Sequence, residues 1–337
     1  MKYSFVIPVY NRPNEVDELL DSLTRQRFKD FEVVVVEDGS SVPCSNVVRK
    51  YGSTLDVKYY AKPNSGPGQT RNYGVERASG DYVLILDSDV VLPEDYLLQV
   101  DNELEHAPSD AFGGPDRAHS SFTPMQKAIN YAMTSFFTTG GIRGGHKKMD
   151  KFYPRSFNMG VRREVYLALG GFSKMRFGED IDFSTRIFKE GYKCRLFPEA
   201  WVWHKRRTDL RKFFKQVHNS GIARINLTKR HPGTLKLVHL LPAVFTAGCA
   251  LLVLLAVALA VAGWNGAWVF LLPLVLFALI ICLDATCRER SLKVGLLAVA
   301  AAYVQLLGYG SGFLRAWWTR CVLGHGEFEA FSKNFYK

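Results

Sequence analysis

Four short runs punctuate the first ninety residues: Tyr3–Val9, Val33–Val36, Asp56–Ala61 and Tyr82–Leu86. Each is the length of a strand and ends in turn-forming residues. Between them the apolar period changes. Val16, Leu19, Leu20 and Leu23 mark one face of a helix over Asn14–Arg27. A second helix starts at Pro67 or Gly68 and runs through Ala78, and Pro93 opens a third over Glu94–Glu105. Strand and helix in alternation predict βαβ units and a mostly parallel sheet. Past residue 110 the pattern is less regular. One stripe stands out there: Met125, Ala128, Ile129, Ala132, Met133, Phe136 and Phe137 share a helical face over 124–139. Such a helix either packs on the core or lies on a bilayer. The Gly- and Lys-rich loop 140–148 follows it, suited to closing over a diphosphate or touching lipid headgroups.

Near residue 236 the pattern changes completely. Leu237–Gly263, Ala267–Leu283 and Val294–Leu314 carry no charge, over 27, 17 and 21 residues. A spanning helix needs about 20. Trp264 and Trp268 rim the second stretch, as suits an interface. The chain therefore divides into a soluble α/β domain (1–235), a membrane region of about three helices (236–314) and a tail (315–337).

Charge gives this plan a direction. The chain carries a formal net charge of +11. Residues 201–236 hold ten Lys and Arg against the single acid Asp209. Positive charge beside a membrane segment marks the cytoplasmic side and attracts anionic lipid. Nucleic acid is not an expected partner, since the basic run abuts a membrane helix and no nucleic-acid motif accompanies it. Met1-Lys2 leads straight into a strand rather than a signal peptide. The expected location is the cytoplasmic (inner) membrane, multi-pass, with the catalytic domain in the cytoplasm. Three spans would leave the tail outside, in mild conflict with Arg315, Arg320, Lys333 and Lys337. The six cysteines form no C-x-x-C pair and read as reduced, structural thiols.

The candidate chemistry sits at strand ends. Asp87-Ser88-Asp89 closes the run Tyr82–Leu86, and two carboxylates so spaced can converge on one hard cation, Mg²⁺ or Mn²⁺, with substrate phosphates bridging to it. Tyr10-Asn11-Arg12-Pro13 breaks the first strand, and Glu37-Asp38-Gly39 ends the second. Polar groups gathered at the carboxyl ends of several strands mark a ligand crevice in an open α/β sheet. Arg71 lies early on the helix after Gly66-Pro67-Gly68, where cation and helix N-terminus both suit phosphate. Glu179-Asp180 begins a helix after Gly178 and offers a general base. His204 offers a further metal ligand.

In order along the chain stand Val6-Ile7-Pro8-Val9-Tyr10-Asn11, Val36-Glu37-Asp38-Gly39-Ser40-Ser41, Gly66 through Gly74, Asp87-Ser88-Asp89, Asn158-Met159-Gly160, Gly170-Gly171-Phe172, Gly178-Glu179-Asp180 and His204. This series resembles the family 2 inverting glycosyltransferases of GT-A fold over roughly residues 3–225. The resemblance implies that Pro8, Tyr10, Asn11 and Arg12 line a nucleotide, with Glu37 and Asp38 at the base and Arg71 beside them. It implies that Asp87 and Asp89 hold the cation, that Asp180 is the base with Glu179 beside it, and that Asn158 faces the acceptor. Glu37 departs from the pattern, where many members have Asp. Gln216 is followed by Val217-His218-Asn219-Ser220, so the Q-x-x-R-W signature of processive synthases is absent.

The expected partners are a nucleotide-diphosphate sugar, with a UDP-sugar the leading donor, a lipid-linked or glycan acceptor, and membrane lipids. A phosphate acceptor arrives already ionised and needs no base, so Glu179-Asp180 tilts the expectation toward a sugar hydroxyl and away from a polyprenyl phosphate. A catalytically degenerate sugar-nucleotide-binding protein would lack one of Asp87, Asp89 or Asp180, and all are present. A sugar nucleotidyltransferase would need a Gly-rich N-terminal loop, which Asn11-Arg12-Pro13 is not.

Overall fold

The computed structural model describes residues 3–117, 122–140, 152–175, 177–205 and 208–327. In chain order these form β1 (Tyr3–Val9), α1 (Pro13–Thr24), β2 (Phe31–Asp38), α2 (Ser45–Lys50), β3 (Val57–Lys62), α3 (Pro67–Arg77), β4 (Tyr82–Leu86), β5 (Val90–Val91), α4 (Tyr96–His106), β6 (Ala111–Gly113) and β7 (Asp116–Arg117). Then come α5 (Pro124–Thr134), α6 (Phe136–Thr139), β8 (Asn158–Arg162), α7 (Arg163–Ala168), α8 (Glu179–Lys189), β9 (Cys194–Leu196) and β10 (Val202–His204). The chain continues through α9 (Leu210–Arg230), α10 (Leu241–Val261), α11 (Leu272–Glu289) and α12 (Leu292–Trp317). Two compact units result: residues 3–117 with 152–205, and residues 122–140 with 208–327.

The first unit is built on a seven-stranded sheet in the order β3-β2-β1-β4-β8-β6-β9. Its β1, β2, β3 and β4 are mutually parallel, and β8 runs antiparallel between β4 and β6. β1, β2 and β4 are buried on both faces where they cross the core, which is why Val33-Val34-Val35-Val36 reads as a continuous apolar run and not an alternating one. One layer seats Phe5, Ile7, Leu19, Leu84 and Tyr96, and the other seats Val6, Val34, Val83, Phe172 and Phe183. Because β1, β2 and β4 point the same way, their carboxyl ends and the loops after them share one edge. A second sheet, β5-β10-β7, stands beside that edge.

Glu32 is one of several buried charges in this unit. Glu32, on β2, accepts from Ser4 Oγ (2.7 Å), Ser79 N (2.6 Å) and Ser79 Oγ (2.7 Å), and pairs with Lys58 Nζ at 2.6 Å. Burial works against its charge, but Lys58, Ser4 and Ser79 outweigh it and bring the carboxyl down from 4.5 to about 2. A depressed folded value adds stability above the unfolded value, and that stability is lost as pH falls through the folded one. Glu32→Gln is therefore expected to cost roughly 3 kcal/mol at neutral pH, and to flatten the fall in stability between about pH 4.5 and 2. Urea denaturation across that pH range checks it; equal midpoints for the two proteins at neutral pH would contradict it.

In the second unit α5, α9, α11 and α12 enclose a core of Ile129, Phe213, Val217, Ile281, Ala298 and Ala302. Three helical segments are long and apolar enough to cross a membrane, at Leu241–Val261, Ala267–Glu289 and Leu292–Val322. Two details differ from the sequence pattern. The stripe over 124–139 is broken at Ser135, whose extended backbone and side chain cap a separate short helix. Before the break Ala128, Ile129, Tyr131 and Ala132 are buried; after it Phe136 and Phe137 are exposed. The second apolar segment continues as helix past Leu283 to Glu289, because Asp284 is partnered: it accepts from Tyr131 Oη at 2.5 Å and pairs with Arg288 at 3.0 Å. The basic loop 141–148 lies outside the described residues.

Candidate active site

The shared edge of β1, β2 and β4 carries the candidate residues. Asp87 and Asp89 follow β4 immediately, and β5 follows them. β10 pairs antiparallel with β5, His204 opposite Val90, and Lys205 N donates to Asp89 O at 3.1 Å. This pairing brings His204 back to the D-x-D turn across more than a hundred residues. The imidazole stacks on Phe157 with centroids 4.9 Å apart, and its Nε2 lies 3.3 Å from Asp89 Oδ1.

Ligand atoms of Asp87, Asp89 and His204 all lie within 4.8 Å of one another. Asp89 Oδ1 is buried and accepts no hydrogen bond of good geometry. A buried carboxylate oxygen without a donor is costly unless a cation serves it, and two carboxylates with one imidazole are a donor set for Mn²⁺ or Mg²⁺. The other oxygen of Asp89 pairs with Arg12. Burial opposes the charge on Asp89, yet His204 and Arg12 hold its carboxyl well below the usual carboxylate range. The residues present therefore fit a divalent cation.

Arg71 joins this cluster to the start of α8. It is buried, donates from Nη2 to Asp87 Oδ1 at 2.6 Å and from Nη1 to Glu179 Oε1 at 3.1 Å, and lies over the Phe172 ring at 5.4 Å. α3 is pinned against the same loop: Asn72 donates to Phe172 O at 2.8 Å and accepts from Phe172 N at 2.8 Å. Gly68 makes the approach possible, since a Cβ there would already stand 3.3 Å from Phe172 and 3.4 Å from Glu179.

Glu179 and Asp180 are neighbours with opposite electrostatics. For Glu179 burial dominates; Arg71 opposes it, Asp180 adds to it, and the carboxyl is pushed up to about 7. Asp180 is also buried, but Arg155 Nε donates to its Oδ2 at 2.6 Å and Ile181 N to its Oδ1 at 2.8 Å. Burial works against its charge, and Arg155 overrides it and keeps the carboxyl below its ordinary value. Asp180 is thus ionised at neutral pH.

The remaining candidates divide into two groups. Asn11, with a left-handed φ of 53°, accepts from Val42 N at 2.9 Å and Ser41 Oγ at 3.1 Å, so it ties the first strand's loop to the second's. Asn is among the few residues that tolerate that conformation. Pro8, Tyr10 and Arg12 flank it, half-buried or more open. Asp38, expected at the base, is engaged by the loop before α3. It is 1% exposed and accepts from Ser65 N (2.9 Å), Gly66 N (2.9 Å), Asn64 Nδ2 (3.2 Å) and Lys62. Its carboxylate shapes the loop before α3, with its oxygens already served. Glu37 does the same nearby, accepting from Cys44 N at 2.7 Å and from Ser40. Asn158, expected to face an acceptor, is buried with both ends of its amide engaged: it donates to Ala200 O at 2.8 Å and accepts from Tyr96 Oη at 2.6 Å.

Arg155 is the residue that sequence reasoning missed. It lies in an irregular segment and reaches the site only because β8 folds antiparallel against β4. Arg155→Gln is expected to let burial raise the Asp180 carboxyl, moving the acid limb of kcat toward higher pH. A kcat–pH profile at saturating substrate reads this out, and an unmoved limb would refute it.

Residues 4–170, about half of the chain, match the model of glycosyl transferase family 2. The chain is 30% identical over 235 residues to the pre-mycofactocin glycosyltransferase of Mycobacterium tuberculosis, covering 67% of this chain and 47% of that protein. Over 93 residues it is 43% identical to the poly(ribitol-phosphate) beta-N-acetylglucosaminyltransferase TarS of Staphylococcus aureus, covering 26% of this chain and 16% of that one. The matched regions span 13% to 59% of the length of such curated relatives. In fold the chain resembles the mannosyltransferase PcManGT of Pyrobaculum calidifontis, solved with GDP-Man and Mn²⁺, at a TM-score of 0.63 and 20% identity over 90% of this chain and 86% of that one.

Proposed function

Because this chain belongs to glycosyl transferase family 2, we propose that it moves a sugar, with inversion, from a nucleotide-diphosphate sugar to a hydroxyl of a membrane-associated, lipid-linked glycan. The observation that carries the reading is Arg71, a buried cation shared by Asp87 at 2.6 Å and Glu179 at 3.1 Å. It sets the D-x-D turn and the Glu-Asp pair on one rigid frame, where a leaving group and an incoming nucleophile need them. Relatives are named a poly(ribitol-phosphate) beta-N-acetylglucosaminyltransferase and a pre-mycofactocin glycosyltransferase, two different acceptors, so the acceptor must be read from this chain itself.

The donor's nucleoside would lie along Pro8, Tyr10, Asn11 and Arg12, in the crevice at the strand ends. Glu37 and Asp38 would contribute by holding the loops that line it. Asp87, Asp89 and His204 would hold Mg²⁺ or Mn²⁺, which offsets the charge that grows on a departing diphosphate. Arg12 and Arg71 add fixed positive charge to the same end, a preorganised electrostatic contribution. Asp180, ionised beside Arg155, would take the proton from the acceptor hydroxyl on the opposite face of the sugar. With three apolar helices long enough to cross a membrane, the catalytic unit would work at the cytoplasmic face on a lipid-borne acceptor, in surface polysaccharide or glycolipid synthesis.

The test is release of nucleoside diphosphate by purified protein given a nucleotide-sugar panel, Mn²⁺ or Mg²⁺, and membrane lipid extract. Release that requires a glycolipid fraction supports the reading. Release with a polyprenyl phosphate alone would identify a polyprenyl-phosphate glycosyltransferase instead, and binding without turnover would identify a sugar-nucleotide-binding protein.

A further inference from the structure

α9 and α10 meet where the apolar segments begin, and cations gather at their junction. A short helical turn, Leu237–His239, leads into α10. Leu240 and Ala243 pack with Ile225 of α9, so Arg224, the neighbour of Ile225, comes beside that turn. Lys236 N donates to His239 Nδ1 at 3.0 Å, which leaves the proton of the neutral ring on Nε2. Burial, with Arg224 and then Lys236 beside it, pushes the imidazole down to about 4. Arg224 Nε is buried and donates to nothing among the described residues. A buried guanidinium N–H without an acceptor is costly. Asp209, Asp284 and Glu327 of this unit already serve Lys212, Arg288 and Arg230. What this corner lacks is an anion.

A groove continues from there along α10. Thr246, Cys249, Ala250, Val253 and Leu254 line it with Leu307 of α12, and it holds about 490 Å³. The five α10 positions form a single stripe on one face of the helix, about 12 Å long. Thr246 lies about two turns beyond His239, so the cations and the stripe share a side of the helix. The Thr246 hydroxyl donates to Pro242 O at 2.8 Å, which spends its proton on the helix itself. The stripe belongs to Leu241–Val261, a segment long and apolar enough to cross a membrane. Its occupant is therefore a hydrocarbon chain.

We propose that this corner binds a single-chain lipid diphosphate, with Arg224, Lys236 and His239 Nε2 on the diphosphate and the chain in the groove along α10. Charge and shape select this occupant. Arg224 and Lys236 supply two fixed positive charges, and a diphosphate diester carries two negative ones. A phosphatidylglycerol headgroup carries one. Guanidinium and ammonium are the side chains suited to phosphate oxygens. One stripe seats one chain, whereas a glycerophospholipid has two or more. The inference rests on the proposed transfer to a lipid-linked glycan only in calling this lipid the acceptor's anchor; it then assigns that anchor a diphosphate linkage and a single tail.

The probe is farnesyl diphosphate, titrated calorimetrically into the full chain in neutral detergent. EDTA is present, so that no cation holds diphosphate at the D-x-D turn. Arg224→Gln and Lys236→Gln should each weaken binding by about tenfold or more, the value of one charge-assisted contact. Ala250→Trp, which fills the groove, should weaken farnesyl diphosphate and leave inorganic diphosphate unchanged. Lys236 and Ala250 are exposed, so these two variants test the site even if Arg224→Gln does not fold. Wild-type affinity in Lys236→Gln would remove the cations from the site, and wild-type affinity in Ala250→Trp would remove the tail from the groove. Short-chain phosphatidylglycerol that displaces the probe at equal concentration would make this a phospholipid site and overturn the proposal. The readout is binding, not sugar transfer. Glycolipid-dependent transfer that survives in both Lys236→Gln and Ala250→Trp would keep the proposed function and reject this site. Tight probe binding, sensitive to both variants, in a protein that transfers nothing would do the reverse.

Discussion

Asp180→Asn is expected to lower kcat by about 10²–10⁴-fold, the usual value of general-base help, with nucleotide-sugar binding little changed. The substitution keeps the shape of the side chain and one acceptor oxygen for Arg155 Nε or Ile181 N, the amide NH2 taking the other position. What it removes is the ability to accept a proton. An interaction made only in the transition state shows as equal losses in kcat and kcat/KM. Steady-state kinetics beside a donor-binding titration separates the two. If Glu179→Gln abolishes transfer while Asp180→Asn retains it, the roles of the two carboxylates are exchanged, and the raised carboxyl of Glu179, about 7, would then be the working group.

Asp89→Asn should cost roughly 10²–10³-fold in turnover, the scale set by losing one preorganised electrostatic contact to a developing charge. Asp89 touches three partners at once: Arg12, His204 and the backbone of Lys205 through its own carbonyl. The last contact survives the substitution, so the turn and β10 should persist. Circular dichroism and the melting temperature check that the fold is intact. Turnover that persists in excess chelator, or in a well-folded Asp89→Asn protein, would end the assignment of a divalent cation to this cluster.

What the chain discloses before folding depends on how local each feature is. β1, β2, β3 and β4 and the helices between them follow from periodicity, because each element's apolar pattern is complete within itself. The cluster of Asp87, Asp89 and Arg71 is nearly as legible, since parallel strands deliver their ends to one edge. β8 is barely legible: Asn158-Met159-Gly160-Val161-Arg162 alternates over five residues only, and β4 and β6 flank it to make it a strand. The sheet of β5, β10 and β7 has strands of two and three residues, below any periodic signal. Glu37 and Asp38 show the complementary case. Carboxylates at a strand end look free in sequence, and the donors that claim Asp38 arrive from a loop more than twenty residues later. Arg155 had no signal at all, being one arginine in an irregular stretch.

Arg71 has a consequence for how this chain can vary. Two acidic groups lean on one guanidinium, so neither sets its own surroundings. Removing Asp87 frees Arg71 to favour Glu179, and removing Glu179 frees it to favour Asp87. Substitutions at the two positions should be epistatic, with a double change departing from the sum of the singles by about 0.5–3 kcal/mol. A lineage, or a laboratory selection, that alters the D-x-D turn must therefore renegotiate the Glu-Asp pair in the same step, and the two motifs are heritable as one character.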